Sequence, residues 1–80
     1  MTKEQLAERI KDLTIAGSVL NQRYSGTIAL FNAACLENNT ELMDQYRLTV
    51  QSIVDQILDN NALQLMLTRQ LLSMGGGFPT

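Results

Sequence analysis

Residues 36–41 read Leu36-Glu37-Asn38-Asn39-Thr40-Glu41, and this short polar stretch decides the fold. Asn tolerates the left-handed backbone conformation in which many helices end. Asn39 or Thr40 is suited to cap a following helix, and Glu41 would then lie in the first turn, near the positive helix end. A connection this short predicts two helices that pack as antiparallel neighbours.

Before this turn, apolar or small residues recur at alternating steps of four and three, which is typical of a helix packed along another helix. They are Leu6, Ile10, Leu13, Gly17, Leu20, Tyr24, Thr27, Phe31 and Ala34. Thr2 and Gln5 fit a capping box at the start of the helix. The pattern predicts a helix over about residues 3–36, followed by a turn at 37–40.

A second helix is predicted over about residues 41–74, followed by a Gly-rich tail at 75–80. The same spacing continues in Met43, Tyr46, Val50, Ile53 and Ile57. Asp59-Asn60-Asn61 then brings together three poor helix formers, and Asn60 falls on the apolar seam. Either the helix breaks near Asn60 and the following segment forms a separate third helix, or Asn60 is a polar core residue that fixes register and oligomeric state.

These patterns predict a single all-α domain over residues 1–80, built as an antiparallel hairpin of two long helices. If the chain turns near residue 38.5, positions whose numbers sum to about 77 face each other. Arg23 would then lie near Val54, and Arg47 near Leu30. These two arginines are candidate contacts for an anionic ligand, but they would share such a site only between two chains.

The composition excludes several function classes. The chain has 80 residues, a net charge of -2, no His and one Cys. Without His, the usual Ser/His/Asp and Cys/His catalytic sets and a structural zinc site are all missing. We therefore predict a protein that is not an enzyme and has no cofactor or metal. Cys35 is expected to be buried as a small apolar side chain.

The composition also argues against nucleic acid and membranes as partners. The N-terminal Lys and Arg residues alternate with Glu and Asp, whereas nucleic-acid binding relies on clustered basic residues. No apolar run approaches the roughly 20 residues that span a bilayer. The first residues lack the apolar core of a signal peptide, so we expect a cytoplasmic protein.

The C-terminal segment predicts self-association. After Asp59, Arg69 is the only charged residue, and apolar side chains point in most directions around the helix. One antiparallel neighbour cannot cover such a helix. We predict an intermolecular interface made by Leu63, Met66, Leu67, Leu71 and Met74. A homo-oligomeric bundle is the leading hypothesis, and a compact three-helix monomer or an obligate complex with another protein are the alternatives.

Gly17 and Gly26 interrupt the first helix, where each costs about 1 kcal/mol relative to Ala. They indicate either a slight bend or the close approach of another helix. The leading hypothesis for function is a small interaction module that self-associates through its helices. By size and architecture alone, phage- or bacteria-encoded inhibitors, adaptors and chaperones are of this kind.

Two further functions stay open. The layout from Asn39 to Leu72 is similar to that of needle and rod subunits of bacterial secretion systems, without a specific motif. That similarity implies a structural subunit or a co-chaperone of such an assembly, although the Gly-rich tail fits a filament subunit poorly. The other function is the binding of a small anionic ligand between subunits.

Overall fold

The computed structural model describes residues 2–75 of the chain. They form two helices, α1 at Lys3–Leu36 and α2 at Thr40–Gly75, which are joined by a short turn. The predicted all-α hairpin is therefore confirmed. The part of the predicted Gly-rich tail at residues 76–80 lies outside the described residues.

The start of α1 is fixed by the capping box that the sequence predicts. The backbone N–H of Gln5 donates to Thr2 Oγ1 at 3.1 Å, and the backbone N–H of Thr2 donates to Gln5 Oε1 at 2.9 Å. These two bonds satisfy donors that a helix N-terminus otherwise leaves without partners.

The turn between the helices depends on Asn38, which has a φ angle of 55°. Its N–H donates to the carbonyl oxygen of Cys35 at 3.1 Å, while the N–H of Asn39 donates to that of Ala34 at 3.0 Å. This pair of bonds is a Schellman motif, which ends a helix at a left-handed residue. Asn39 Oδ1 then accepts from the N–H of Leu42 at 3.1 Å, so that Asn39 is the cap of α2.

α2 is one continuous helix through Asp59-Asn60-Asn61. The alternative of a break near Asn60, with a separate third helix, does not occur. The low helix propensity of these residues costs less than about 1 kcal/mol each. Asn60 is only 8% exposed, because its side chain is held against α1. The contact of Asn60 with α1 thus offsets the low helix propensity of this segment.

The core of the hairpin is thin. Leu6, Ala34, Ile53 and Leu67 are the buried apolar side chains among the described residues. The molecule measures 58 × 19 × 18 Å and has a radius of gyration of 18.0 Å. A compact domain of this length would have a radius of gyration of about 12 Å. Two helices alone therefore leave most of their circumference uncovered.

The surface is large and partly apolar. Its accessible area is 5956 Å², whereas a compact monomer of this mass would expose about 4,800 Å². Eleven large apolar side chains are exposed among the described residues. They include Leu30, Leu48, Leu58, Leu65, Met66, Leu72 and Met74.

Candidate functional site

A group of polar atoms links α1 to α2, and we call it the polar cluster: the side chains of Thr14, Asn60 and Gln64 and the backbone carbonyl oxygen of Leu13. Asn60 Nδ2 donates to the Leu13 oxygen at 3.0 Å, and Gln64 Nε2 lies 3.4 Å from the same atom. Gln64 Nε2 also donates to Asn60 Oδ1. A carbonyl oxygen has two lone pairs, so Leu13 can accept from α2 as well as within its own helix.

Thr14 extends the polar cluster towards solvent. Its hydroxyl lies 2.9 Å from the carbonyl oxygen of Ile10 and 3.3 Å from Gln64 Oε1, and it has one hydrogen to donate. No buried side-chain nitrogen or oxygen among the described residues lacks a hydrogen-bond partner. The buried amide of Asn60 is therefore satisfied, as a polar group inside a seam must be.

Gly17 makes room for the polar cluster. A Cβ atom built on Gly17 would lie 3.2 Å from Asn60 Oδ1 and 3.6 Å from Gln64 Nε2. Such a Cβ would press on Asn60, because 3.2 Å is tighter than ordinary van der Waals contact. Of the two interpretations of this glycine, close approach of a helix holds, and the helix is α2 of the same chain.

One side of the hairpin carries exposed leucines, and we call it the leucine face. It consists of Leu58, Asn61, Leu65 and Leu72 from α2 and of Ser18, Asn21 and Ser25 from α1. Asn61 lines a shallow groove together with the three α1 residues. Leu58 and Leu65 each lie one helical turn from Asn61, and Leu72 follows two turns after Leu65.

The leucine face combines exposed large side chains with small ones. Leu58 is 60% exposed, Leu65 53% and Leu72 47%. The α1 side chains beside them are short, so another helix can approach α1 closely there. Asp55 lies one turn before Leu58, and Arg69 lies one turn after Leu65 and one turn before Leu72, so these two charged residues border the leucine face.

A second groove runs along the opposite side of the hairpin, and we call it the Arg23 groove. Residues lining it include Arg23, Gly26, Leu30, Leu48 and Ile53. It is an open groove of about 600 Å³. Ile53 is buried at its base, while Leu30 and Leu48 are exposed beside it. A Cβ atom built on Gly26 would meet nothing within 4 Å, so the close approach proposed for this glycine has no counterpart within the chain.

The predicted interface residues fall into three environments. Leu67 is buried, Leu63 and Leu71 are half-buried, and Met66 and Met74 are about half exposed. The buried Leu67 belongs to the seam between α1 and α2 and is not available to another chain in this hairpin. The role of the other four in an intermolecular contact stays a prediction.

The two candidate anion contacts lie apart. Arg47 Nη2 pairs with Asp44 Oδ1 at 3.0 Å on the surface, and its side chain borders a small pocket beside Ile28 and Val50. Arg23 lines the groove on the other side of the hairpin. The two arginines are therefore apart within one chain, in agreement with the predicted register. Cys35, which we expected to be buried, is half-buried.

The sequence alone does not single out the leucine face. Leu58, Leu65 and Leu72 are spaced by seven residues, and this spacing was available in the sequence. Apolar residues on other sides of the same segment obscured it. Only the position of α1 separates the side chains that are already covered from those that are exposed.

Neither described helix contains a stretch long and apolar enough to cross a membrane. Within residues 2–75, no three Cys, Asp or Glu side chains come together as a metal site. Comparisons with protein-family models, curated proteins and solved structures gave no significant match to this chain.

Proposed function

We propose that this chain is a non-enzymatic interaction module that self-associates, with the leucine faces of two copies packed against each other. The observation that carries the proposal is the exposed, seven-residue repeat of Leu58, Leu65 and Leu72 on one side of a two-helix hairpin. Two hairpins joined in this way form a four-helix bundle, in which each helix gains a second neighbour.

The surface area supports a second copy as the occupant of the leucine face. The hairpin exposes about 1,100 Å² more than a compact monomer of its mass would. A stable interface buries about 800 Å² on each partner. A dimer could therefore remove most of the excess without any other protein. A two-fold axis would pair identical faces, so the assembly would close at a small, fixed number of chains.

Light scattering coupled to size exclusion tests the proposal over a range of micromolar concentrations. We expect the mass of a dimer, or of another small fixed oligomer. Continuous growth with concentration would instead favour the filament-subunit alternative. A monomer at all of these concentrations would overturn the proposal.

A matched pair of variants locates the interface. Leu65→Glu places a charge on the leucine face and should yield monomers. Leu48→Glu changes a similarly exposed leucine on the opposite side and should leave the oligomer intact. Circular dichroism should give nearly the same helix content for both variants, because neither side chain is part of the buried seam.

A further inference from the structure

The two charged residues that border the leucine face have opposite signs and a regular spacing. Asp55, Ala62 and Arg69 follow one another at intervals of seven residues, and each precedes a leucine of the repeat by three residues. The three exposed side chains therefore form a second stripe along α2, one turn from the leucines. Ala62 lies at the middle of this stripe, with a negative charge about 10 Å before it and a positive charge about 10 Å after it.

Within residues 2–75, neither charge of the stripe has an ion-pair partner. The one ion pair among these residues joins Arg47 to Asp44, nearer the start of α2. Asp55 and Arg69 are about 21 Å apart along the same helix, so they cannot pair with each other within one chain. Both charges are thus available to a second copy that packs on the leucine face.

We propose that the α2 helices of two copies pack antiparallel across a two-fold axis near Ala62, so that Asp55 of each copy pairs with Arg69 of the other. This inference rests on the proposed self-association through the leucine face and specifies its geometry. A two-fold axis perpendicular to α2 at Ala62 exchanges positions that lie equally far before and after that residue. It therefore brings each carboxylate to a guanidinium group and forms the same ion pair twice.

Other pairings of the leucine face treat these charges differently. In a parallel pairing of two α2 helices, each residue lies level with its own copy, so that like charges meet, which opposes binding. Packing α2 on the α1 of the other copy brings the stripe to the short side chains of the leucine face, which are neutral: Ser18, Asn21 and Ser25. Of these arrangements, the antiparallel pairing of two α2 helices is the one that gives both charges a counterpart of opposite sign.

The ion pairs determine orientation and register more than affinity. An exposed ion pair contributes little to binding, whereas two like charges that are brought together oppose it. The leucines thus provide the buried area, and the two charges select the antiparallel pairing about Ala62. The small side chain of Ala62, which meets its own copy at the axis, lets the two helices approach each other closely.

Charge reversal tests this pairing. Asp55→Arg and Arg69→Asp each turn both ion pairs of the dimer into like-charge contacts, and each should raise the dimer dissociation constant about tenfold at low salt. Combining Asp55→Arg with Arg69→Asp restores opposite charges at exchanged positions and should return the dissociation constant to that of the unmodified chain. Sedimentation equilibrium measures these constants. The differences should shrink at about 1 M salt, where the Debye length is about 3 Å.

Asp12→Arg is the matched control, because it changes the net charge by the same amount as Asp55→Arg. Asp12 is exposed and precedes Arg23 by eleven residues, or about three turns, so both lie on the side of α1 that faces away from the leucine face. The dimer dissociation constant of Asp12→Arg should equal that of the unmodified chain. Weakening as large as in Asp55→Arg would attribute the effect to net charge and reject the pairing.

The outcomes separate this inference from the proposed function. If the unmodified chain dimerises and Leu65→Glu disrupts the dimer, but neither charge reversal weakens it, the antiparallel pairing is wrong and the leucine face is still the interface. A combined variant that dimerises no more tightly than the single reversals would also reject the pairing. A monomeric unmodified chain would overturn both proposals.

Discussion

Gly17 and Asn60 lie opposite each other across the hairpin, and the missing side chain of the first makes space for the amide of the second. A Cβ atom at residue 17 would be 3.2 Å from Asn60 Oδ1, while Asn60 Nδ2 donates to the carbonyl oxygen of Leu13 at 3.0 Å. Shifting α2 by one turn would remove the amide from its acceptor. The pair therefore fixes the register of the two helices.

The two glycines of α1 should respond differently to Ala. Gly26→Ala should raise the free energy of unfolding by about 1 kcal/mol, because the new methyl group meets nothing and Ala favours the helix. The stability gained by Gly17→Ala should be about 1 kcal/mol smaller than that gained by Gly26→Ala, because the methyl group at residue 17 presses on Asn60 and weakens a hydrogen bond. Urea unfolding of both variants measures the difference. Equal gains would show that Asn60 can move aside freely.

Asn60 and Asn61 form a second matched pair, since they are neighbours with opposite environments. Asn60→Ala should destabilise the hairpin by about 1–3 kcal/mol, because a part-buried hydrogen bond to α1 is lost and Gln64 loses a partner. Asn61→Ala should stay within about 0.5 kcal/mol, as the side chain is exposed. Thermal unfolding followed by circular dichroism provides the comparison. A small effect at Asn60 would contradict its role in fixing register.

Much of the hairpin follows from local patterns. The capping box at Thr2, the left-handed Asn38 and the apolar spacing of α1 each act within a few residues, so the sequence alone predicts them. The contacts between Gly17, Asn60 and the Leu13 carbonyl oxygen join positions more than forty residues apart. Sequence patterns mark Asn60 as unusual, yet only the packed structure shows that α1 provides its acceptor.

The candidate interface was harder to predict for a related reason. Continuing the spacing of three and four from Ile57 through Asn60 leads to Gln64, Leu67 and Leu71, which lie on the seam. Apolar side chains lie on most sides of this segment, so without the position of α1 the sequence places Leu67 among the predicted intermolecular residues. A continuous helix assigns Leu67 to the core and leaves Leu65, two residues earlier, on the surface.

The turn depends on the backbone of Asn38. Asn38→Ala should destabilise the hairpin by about 1–2 kcal/mol, because a Cβ-bearing residue without a compensating polar side chain is strained at φ 55°. Asn38→Gly should be neutral or stabilising, since Gly adopts this conformation without strain. Melting temperatures of the two variants test whether Ala and Gly change the stability in different directions at this position. Equal destabilisation by Ala and Gly would indicate that the Asn side chain, rather than its conformation, matters.

Leu67 provides a test of the hairpin core. Leu67→Ala should destabilise the protein by about 2–5 kcal/mol, because Leu67 is 7% exposed and its truncation leaves a cavity in the seam. Leu36→Ala is the matched control, since Leu36 is 86% exposed and lies at the end of α1. Denaturant unfolding at one protein concentration compares the two. A loss at Leu67 no larger than that at Leu36 would mean that Leu67 is not a core residue.

Self-association should make the melting temperature depend on protein concentration, and the leucine face should control that dependence. The melting temperature of an oligomer rises with protein concentration, because unfolding is coupled to dissociation. We therefore expect this rise in the unmodified chain and in Leu48→Glu, and its disappearance in Leu65→Glu, where a carboxylate is introduced on the leucine face. Calorimetry at several concentrations measures the slope. A slope that survives in Leu65→Glu but vanishes in Leu48→Glu would move the interface to the Arg23 groove.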